Sequence, residues 1–165
     1  MVKSNIVLIG MPGSGKTTVA KELSKMLNKK IIDIDEEIEK ETKLSINHIF
    51  DKFGEDYFRE LEKNMIGKIS ILDNTVISTG GGAVLNKDNI ENLKKKGKII
   101  FLNRSIENIS KACHKNRPLL KNNIEKLEEL FNYRQEYYKL YADFTIENNG
   151  SLPNVIEEII NFINL

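Results

Sequence analysis

The stretch Gly10-Met11-Pro12-Gly13-Ser14-Gly15-Lys16-Thr17 limits what this chain can fold into more than any other. It fits G-x-x-x-x-G-K-[ST] at every defined position, a loop whose backbone N–H groups point at phosphate oxygens. Pro12 has no N–H, but it precedes Gly13 and spares the donors that would cradle phosphate. The expected nucleotide contacts are Gly13, Ser14, Gly15, Lys16, Thr17 and Thr18. Lys16 can reach the outer phosphates and the Thr17 hydroxyl can sit on Mg²⁺, chemistry that suits ATP or GTP. The context agrees. Asn5-Ile6-Val7-Leu8-Ile9 reads as a buried parallel strand, and Val19, Ala20, Leu23, Met26 and Leu27 recur afterwards at helical spacing.

Strand and helix patterns then alternate. Lys30–Ile34, Thr75–Ser78, Lys98–Leu102 and Phe144–Ile146 read as further strands. Helical spacing appears in Phe58, Leu61, Met65 and Ile69, in Leu127, Leu130, Phe131 and Tyr138, and from Val155 to Ile163. Lys94-Lys95-Lys96 reads as a solvated last helical turn closed by Gly97. Such alternation implies an α/β fold with a parallel sheet covered on both faces, and ligands in such sheets lie beyond the carboxyl ends of the strands.

The polar residues at those ends are the candidates for chemistry. Asp33 and Asp35 close the second strand, and strand alternation projects both carboxylates to one side. One can hold water on Mg²⁺ while the other accepts a proton from an attacking hydroxyl. Acids also suit the positive end of the helix that follows. The third strand ends Ile77-Ser78-Thr79 without a carboxylate, which makes Asp33, with Thr17, the candidate metal support. Gly80-Gly81-Gly82 offers a backbone that a ligand can approach closely. Glu55, Arg59 and Glu62 share a helix face and read as a surface ion-pair ladder unless that helix faces the site. Arg117-Pro118-Leu119-Leu120 lies in a polar stretch that reads as a lid carrying an arginine onto transferring phosphate. Arg134 reads as an arginine snorkelling from an amphipathic helix, and the Tyr137, Tyr138, Tyr141 cluster as packing.

With 165 residues, 40% hydrophobic and 30% charged, the chain is expected to form one domain with a real core. A net charge of +1 gives no global attraction to nucleic acid or an anionic membrane. One cysteine, Cys113, cannot form an internal disulfide, no apolar run is long enough for a membrane span, and the N-terminus enters the first strand without room for a signal peptide. A cytoplasmic location is expected.

Taken in order, these residues resemble the shikimate kinase family. The resemblance runs through the phosphate loop, Asp33-x-Asp35, Ser45-Ile46 with Ile49-Phe50, and Gly54-Glu55 with Phe58-Arg59 and Glu62. It continues through Gly80-Gly81-Gly82, Arg117-Pro118-Leu119-Leu120, and Arg134 followed by Tyr137 and Tyr138. It implies ATP- and Mg²⁺-dependent transfer of phosphate to the 3-hydroxyl of shikimate, in aromatic amino-acid biosynthesis. It also implies a P-loop, nucleoside-monophosphate-kinase-like three-layer fold, a five-stranded parallel sheet in the order 2-3-1-4-5 with helices on both faces. Residues 1–165 would form a single kinase domain and a monomer, with a substrate-binding helical segment about 35–62 and a lid about 111–124.

By the same resemblance Lys16, Asp35 and Arg117 are the catalytic set, with Arg117 also meeting ATP. Asp35, Arg59, Glu62, Gly80, Gly81, Gly82 and Arg134 form the shikimate site, the two arginines on the carboxylate and Glu62 orienting Arg59. Family members often carry an arginine near the adenine, where this chain reads Ser110-Lys111-Ala112-Cys113, so Lys111 is the expected substitute. A kinase for another hydroxy acid such as gluconate, a nucleotide switch and an inactive binding module are the rival readings. Asn86-Lys87-Asp88-Asn89 falls short of the guanine signature N-K-x-D at its last position and reads as a helix N-cap.

Overall fold

The computed structural model describes residues 3–116 and 124–164, and the side chains of 113–116 are left aside. Residues 117–123 of the expected lid, Arg117 among them, therefore lie outside the described residues, as does the side chain of Cys113. The order of elements is β1 Asn5–Ile9, α1 Lys16–Leu27, β2 Lys30–Asp33, α2 Ile34–Thr42, α3 Ile46–Ile69 and β3 Thr75–Ser78. A 3-10 turn, Ala83–Leu85, leads to α4 Lys87–Lys96, β4 Gly97–Asn103, α5 Ile106–Asn116, α6 Ile124–Tyr141, β5 Phe144–Glu147 and α7 Leu152–Ile163. The strands form a single sheet in the order β2-β3-β1-β4-β5, and every neighbouring pair is parallel. That is the topology the family resemblance implies.

Alternation along the strands explains why they read as unbroken apolar runs. Ile6, Leu8, Val76, Ile100 and Leu102 face one side and pack on Val19, Ala20 and Leu23 of α1 and on Val155, Ile156 and Ile159 of α7. Val7, Ile9, Ile77, Ile99 and Phe101 face the other, against Met65 and Ile66 of α3, Ile90 and Leu93 of α4, and Leu127 and Tyr138 of α6. Fully burying one such side chain stabilises the fold by about 1.5–3 kcal/mol. Among the described residues no helix is long and apolar enough to cross a membrane.

One local expectation needs correction. Strand β2 ends at Asp33, and Ile34 opens α2 rather than closing the strand. The reason is capping: Asp33 Oδ1 accepts from the N–H groups of Asp35 (3.1 Å) and Glu36 (3.3 Å), so the carboxylate itself starts the helix. Asp33 and Asp35 are thus brought to one place by a strand–helix junction, not by strand alternation. Gly97 is the C-cap of α4 as expected, its N–H donating to the Leu93 carbonyl, with extended backbone (φ −117°, ψ 146°). It also supplies room, because a Cβ there would lie 2.7 Å from Val7 Cγ2 and 2.8 Å from the Leu93 carbonyl oxygen. Lys96 is tied down as well, its Nζ donating to the Ile71 carbonyl (2.6 Å) and to Asp73 (2.7 Å). The expected N-cap at Asn86 is present, its side chain accepting from the Asp88 N–H at 2.9 Å.

Helix α3 breaks at Gly54, whose φ of +85° and ψ of 173° are non-helical. Nothing lies within 4 Å of where a Cβ would stand. The glycine is required there by the left-handed φ, not by crowding. The break re-aims the chain so that the run after Gly54 turns Phe58, Glu62, Met65 and Ile66 inward.

Candidate active site

The phosphate loop links β1 to α1. Gly15, at φ +95°, is the N-cap of α1 and sets the positive end of that helix at the loop. Gly13, Gly15, Lys16, Thr17 and Thr18 line a cavity of about 340 Å³ together with Asp33, Asp35, Ser78 and Thr79. Ser14 is fully buried beneath it. Lys16 Nζ donates to the carbonyl oxygens of Gly10 and Met11, both at 2.8 Å. Its ammonium is thereby held against the loop it would serve. Thr17 Oγ1 donates to Asp33 Oδ2 at 3.0 Å. One oxygen of Asp33 therefore caps α2 while the other meets the loop hydroxyl.

A second cavity of about 620 Å³ opens beside the first, lined by Arg59, Glu62, Phe58, Gly82, Leu130 and Arg134 among others. Pro12, Thr17, Asp33, Asp35, Gly80 and Gly81 line both cavities, so the two are contiguous. Asp35 stands at their junction.

Helix α3 does face the site, and the ion-pair ladder is not a surface ornament. Glu62 is fully buried and accepts from Arg59 Nη1 at 2.8 Å, while Glu55 holds the outer side of the same guanidinium at 3.1 Å. Burial raises the Glu62 carboxyl above the usual range, and the nearby guanidinium of Arg59 does not offset it. Its Oε1 is buried without a hydrogen-bond partner. Arg134 is likewise not a snorkelling surface group. It is only 9% exposed and its Nε is buried without a partner. Tyr138, one turn on, stacks on Phe101 with ring centroids 5.0 Å apart, as packing predicts. Its hydroxyl also donates to the Gly81 carbonyl at 2.6 Å, and burial pushes its pKa up to about 12. That bond fixes the glycine loop to α6.

The glycine loop has a more particular reason for its composition than close approach of a ligand. A Cβ on Gly80 would lie 2.7 Å from Glu62 Oε1 and 3.1 Å from Asp35 Oδ1. One on Gly81 would lie 2.6 Å from Pro12 and 3.2 Å from Arg134 Nη1, and one on Gly82 would overlap the Arg59 guanidinium. The missing side chains make room for the charged groups of the site.

Lys111 does not line the phosphate cavity. It pairs with Glu107 at 2.7 Å on the exposed face of α5. Besides Lys16, the cation that lines the phosphate cavity among the described residues is Arg104, just past the end of β4, and Ala112 lines it too. Arg104 Nη1 donates to the Gly13 carbonyl at 3.0 Å, and Asn148, just past β5, donates to the Ser14 carbonyl at 2.6 Å. Neither residue stands out by motif. Their position after strand ends is the signal that could have found them.

A phosphate-binding loop, an acid at the junction of two cavities and a pair of arginines in the second define a P-loop phosphotransferase with a small acidic acceptor. The comparisons carry this to a family. A family model described as shikimate kinase matches residues 12–164. A shikimate kinase of Caldicellulosiruptor saccharolyticus is 46% identical over 160 residues, covering 94% of this chain and 92% of that protein. One from Clostridium botulinum is 42% identical over 159 residues, covering 96% of each. The solved structure of shikimate kinase from Acinetobacter baumannii in complex with shikimate superposes with a TM-score of 0.91 at 36% identity, over 98% of this chain and 93% of that one. The chain belongs to the shikimate kinase family.

Proposed function

We propose that this chain transfers the γ-phosphoryl group of ATP to the 3-hydroxyl of shikimate, giving shikimate 3-phosphate and ADP, a step in aromatic amino-acid biosynthesis. The observation that carries the mechanism is that Asp35 lines both cavities. An acceptor hydroxyl held at Asp35 from the second cavity faces a phosphate held by the loop in the first. The hydroxyl oxygen bonds to the γ-phosphorus as the bond from that phosphorus to the β–γ bridging oxygen breaks. The hydroxyl proton passes to the Asp35 carboxylate. Lys16 and the loop amides bear the charge on the β- and γ-phosphates, and Arg117, assigned from the sequence alone, closes over the transferring group. Positioning and charge stabilisation do most of the work in such a transfer.

In the second cavity Arg59 and Arg134 take the shikimate carboxylate, with Glu62 holding Arg59 in place and the glycine loop presenting the Gly81 backbone. Two such guanidinium groups beside each other repel unless an anion lies between them, and Glu62 serves only one of them closely.

Thr17 and Asp33 suit Mg²⁺, since a hydroxyl and a carboxylate oxygen 3.0 Å apart are hard donors at the edge of the phosphate cavity. Among the described residues no cluster of three or more His, Cys, Asp or Glu could cage a metal, which fits an ion that takes few protein ligands. When bound, the ion would neutralise phosphate charge, with Thr17 contacting it directly and Asp33 through water. A monomer is taken as the working unit. The reaction is assigned to the cytoplasm.

The test is ADP release from Mg-ATP, with shikimate, gluconate and a nucleoside monophosphate offered separately. Turnover with shikimate alone is expected. Turnover with gluconate or the nucleotide instead would overturn the acceptor and keep the phosphotransferase.

A further inference from the structure

We propose that Arg104 and Asn148 form a clamp on the outer side of the phosphate loop and are positioning residues for phosphate binding. The inference rests on the nucleotide reading of the loop. A trans peptide unit carries its C=O and N–H in opposite directions, so holding the oxygen fixes where the hydrogen points. Asn148 Nδ2 holds the Ser14 oxygen at 2.6 Å, which turns the Gly15 N–H of the same unit away from Asn148. Arg104 Nη1 holds the Gly13 oxygen at 3.0 Å, and the Ser14 N–H of that unit donates to the Met11 carbonyl at 3.1 Å. Two successive peptide units of the loop are therefore oriented from outside it, by residues that follow β4 and β5.

Two further observations say that this arrangement serves more than local packing. Arg104 Nε is buried with no hydrogen-bond partner, a cost the fold bears to keep this side chain where it is. Gly15 also leaves room for the clamp, since a Cβ there would lie 2.5 Å from Asn148 Nδ2. Asn148 is itself anchored, its N–H donating to the Asn103 carbonyl at 2.7 Å. The sheet edge formed by β4 and β5 thus sets the geometry of a loop that belongs to β1 and α1.

The test uses the full chain and two probes, ADP and inorganic tripolyphosphate, the second carrying phosphates and no base. Arg104→Ala and Asn148→Ala should each weaken both probes about tenfold, the scale of one charge-assisted or buried hydrogen bond. The KM for shikimate should stay at the wild-type value, a split between the two substrates that a merely structural role would not give. Arg104→Lys, which keeps a cationic donor, should recover most of the loss. The double variant should bind no more than about twofold worse than the weaker single, because releasing either peptide already frees the loop. Should an alanine variant fail to fold, Asn148→Asp keeps the shape and turns a donor into an acceptor facing the Ser14 oxygen. It should weaken tripolyphosphate at least as much. Weakened ADP with unchanged tripolyphosphate would make Arg104 a base contact and overturn the clamp, as would wild-type binding or fully additive losses. Neither probe needs an acceptor, so an error in the acceptor assignment leaves this test standing.

Discussion

The two cavities are built by different means. The phosphate cavity is built around the backbone of one continuous segment, the loop and first turn of α1 at residues 12–18, with residues at or past the ends of β2, β3 and β4 closing it. The acceptor cavity is mostly side chains gathered from α2, α3, the glycine loop and α6. A site made of backbone needs contiguous residues with particular dihedral angles, and so it leaves a motif. A site made of side chains needs only that distant elements meet, and each residue looks ordinary in its own segment. Arg59 at one helical turn from Glu62, and Arg134 inside an amphipathic helix, are such residues.

The difference predicts separate kinetic signatures. Lys16→Ala should have the largest effect, lowering kcat by about 10²–10³, the loss typical of removing one preorganised charge-stabilising donor. Steady-state kinetics with both substrates varied would read it. Arg134→Ala comes next. Removing a buried guanidinium that faces an anion should raise the KM for shikimate by about 10²-fold and leave the KM for ATP nearly unchanged. If both KM values rise together, the division between the cavities fails. Gly82→Ala should act more gently, raising the KM for shikimate about tenfold by displacing the Arg59 guanidinium, an effect of about 1.4 kcal/mol. A wild-type KM there would mean that Arg59 moves aside without consequence.

The smallest effect is on stability. Burial holds the Glu62 carboxyl above its ordinary value of 4.5. Above that value the unfolded chain releases a proton that the native state keeps, so native stability falls as pH rises towards the native pKa. The contribution is fully present below the unfolded pKa and lost above the folded one. Glu62→Gln should remove this downward slope, which urea unfolding at a series of pH values would reveal. Equal slopes in the two proteins would show that Glu62 folds already ionised.

The parallel sheet covered on both faces was legible because β1, β3 and β4 read as apolar runs separated by helical spacing, while the order of the strands came only with the family resemblance. Helix capping was less so. The pattern Asp33-Ile34-Asp35 reads equally as strand alternation or as a cap, and only the hydrogen bonds to the Asp35 and Glu36 N–H groups decide it. The acceptor residues were legible only through the order and spacing of the whole set. Arg59 taken alone reads as a surface ion pair, because sequence does not tell which face of α3 is covered. Arg104 and Asn148 escaped attention since a single polar residue after a strand is common, and their role depends on the loop lying within reach of two separate strand ends. Gly97 was legible as a helix cap, but not the crowding by Val7 on the neighbouring strand that also keeps a side chain out of that position.

The glycine loop has a consequence for redesign. One wall of the acceptor cavity is already reduced to bare backbone, and Arg59, Glu62 and Arg134 fill the space its side chains would have occupied. Nothing on that wall can be trimmed to admit a bulkier acceptor, and anything added there evicts a charged group. New substrate range must be sought at Phe50, Phe58 and Leu130, which also line the cavity and have side chains that can be shortened. An inhibitor aimed at the loop would likewise have to displace a guanidinium already in residence, so its selectivity would be set by how well it replaces that cation.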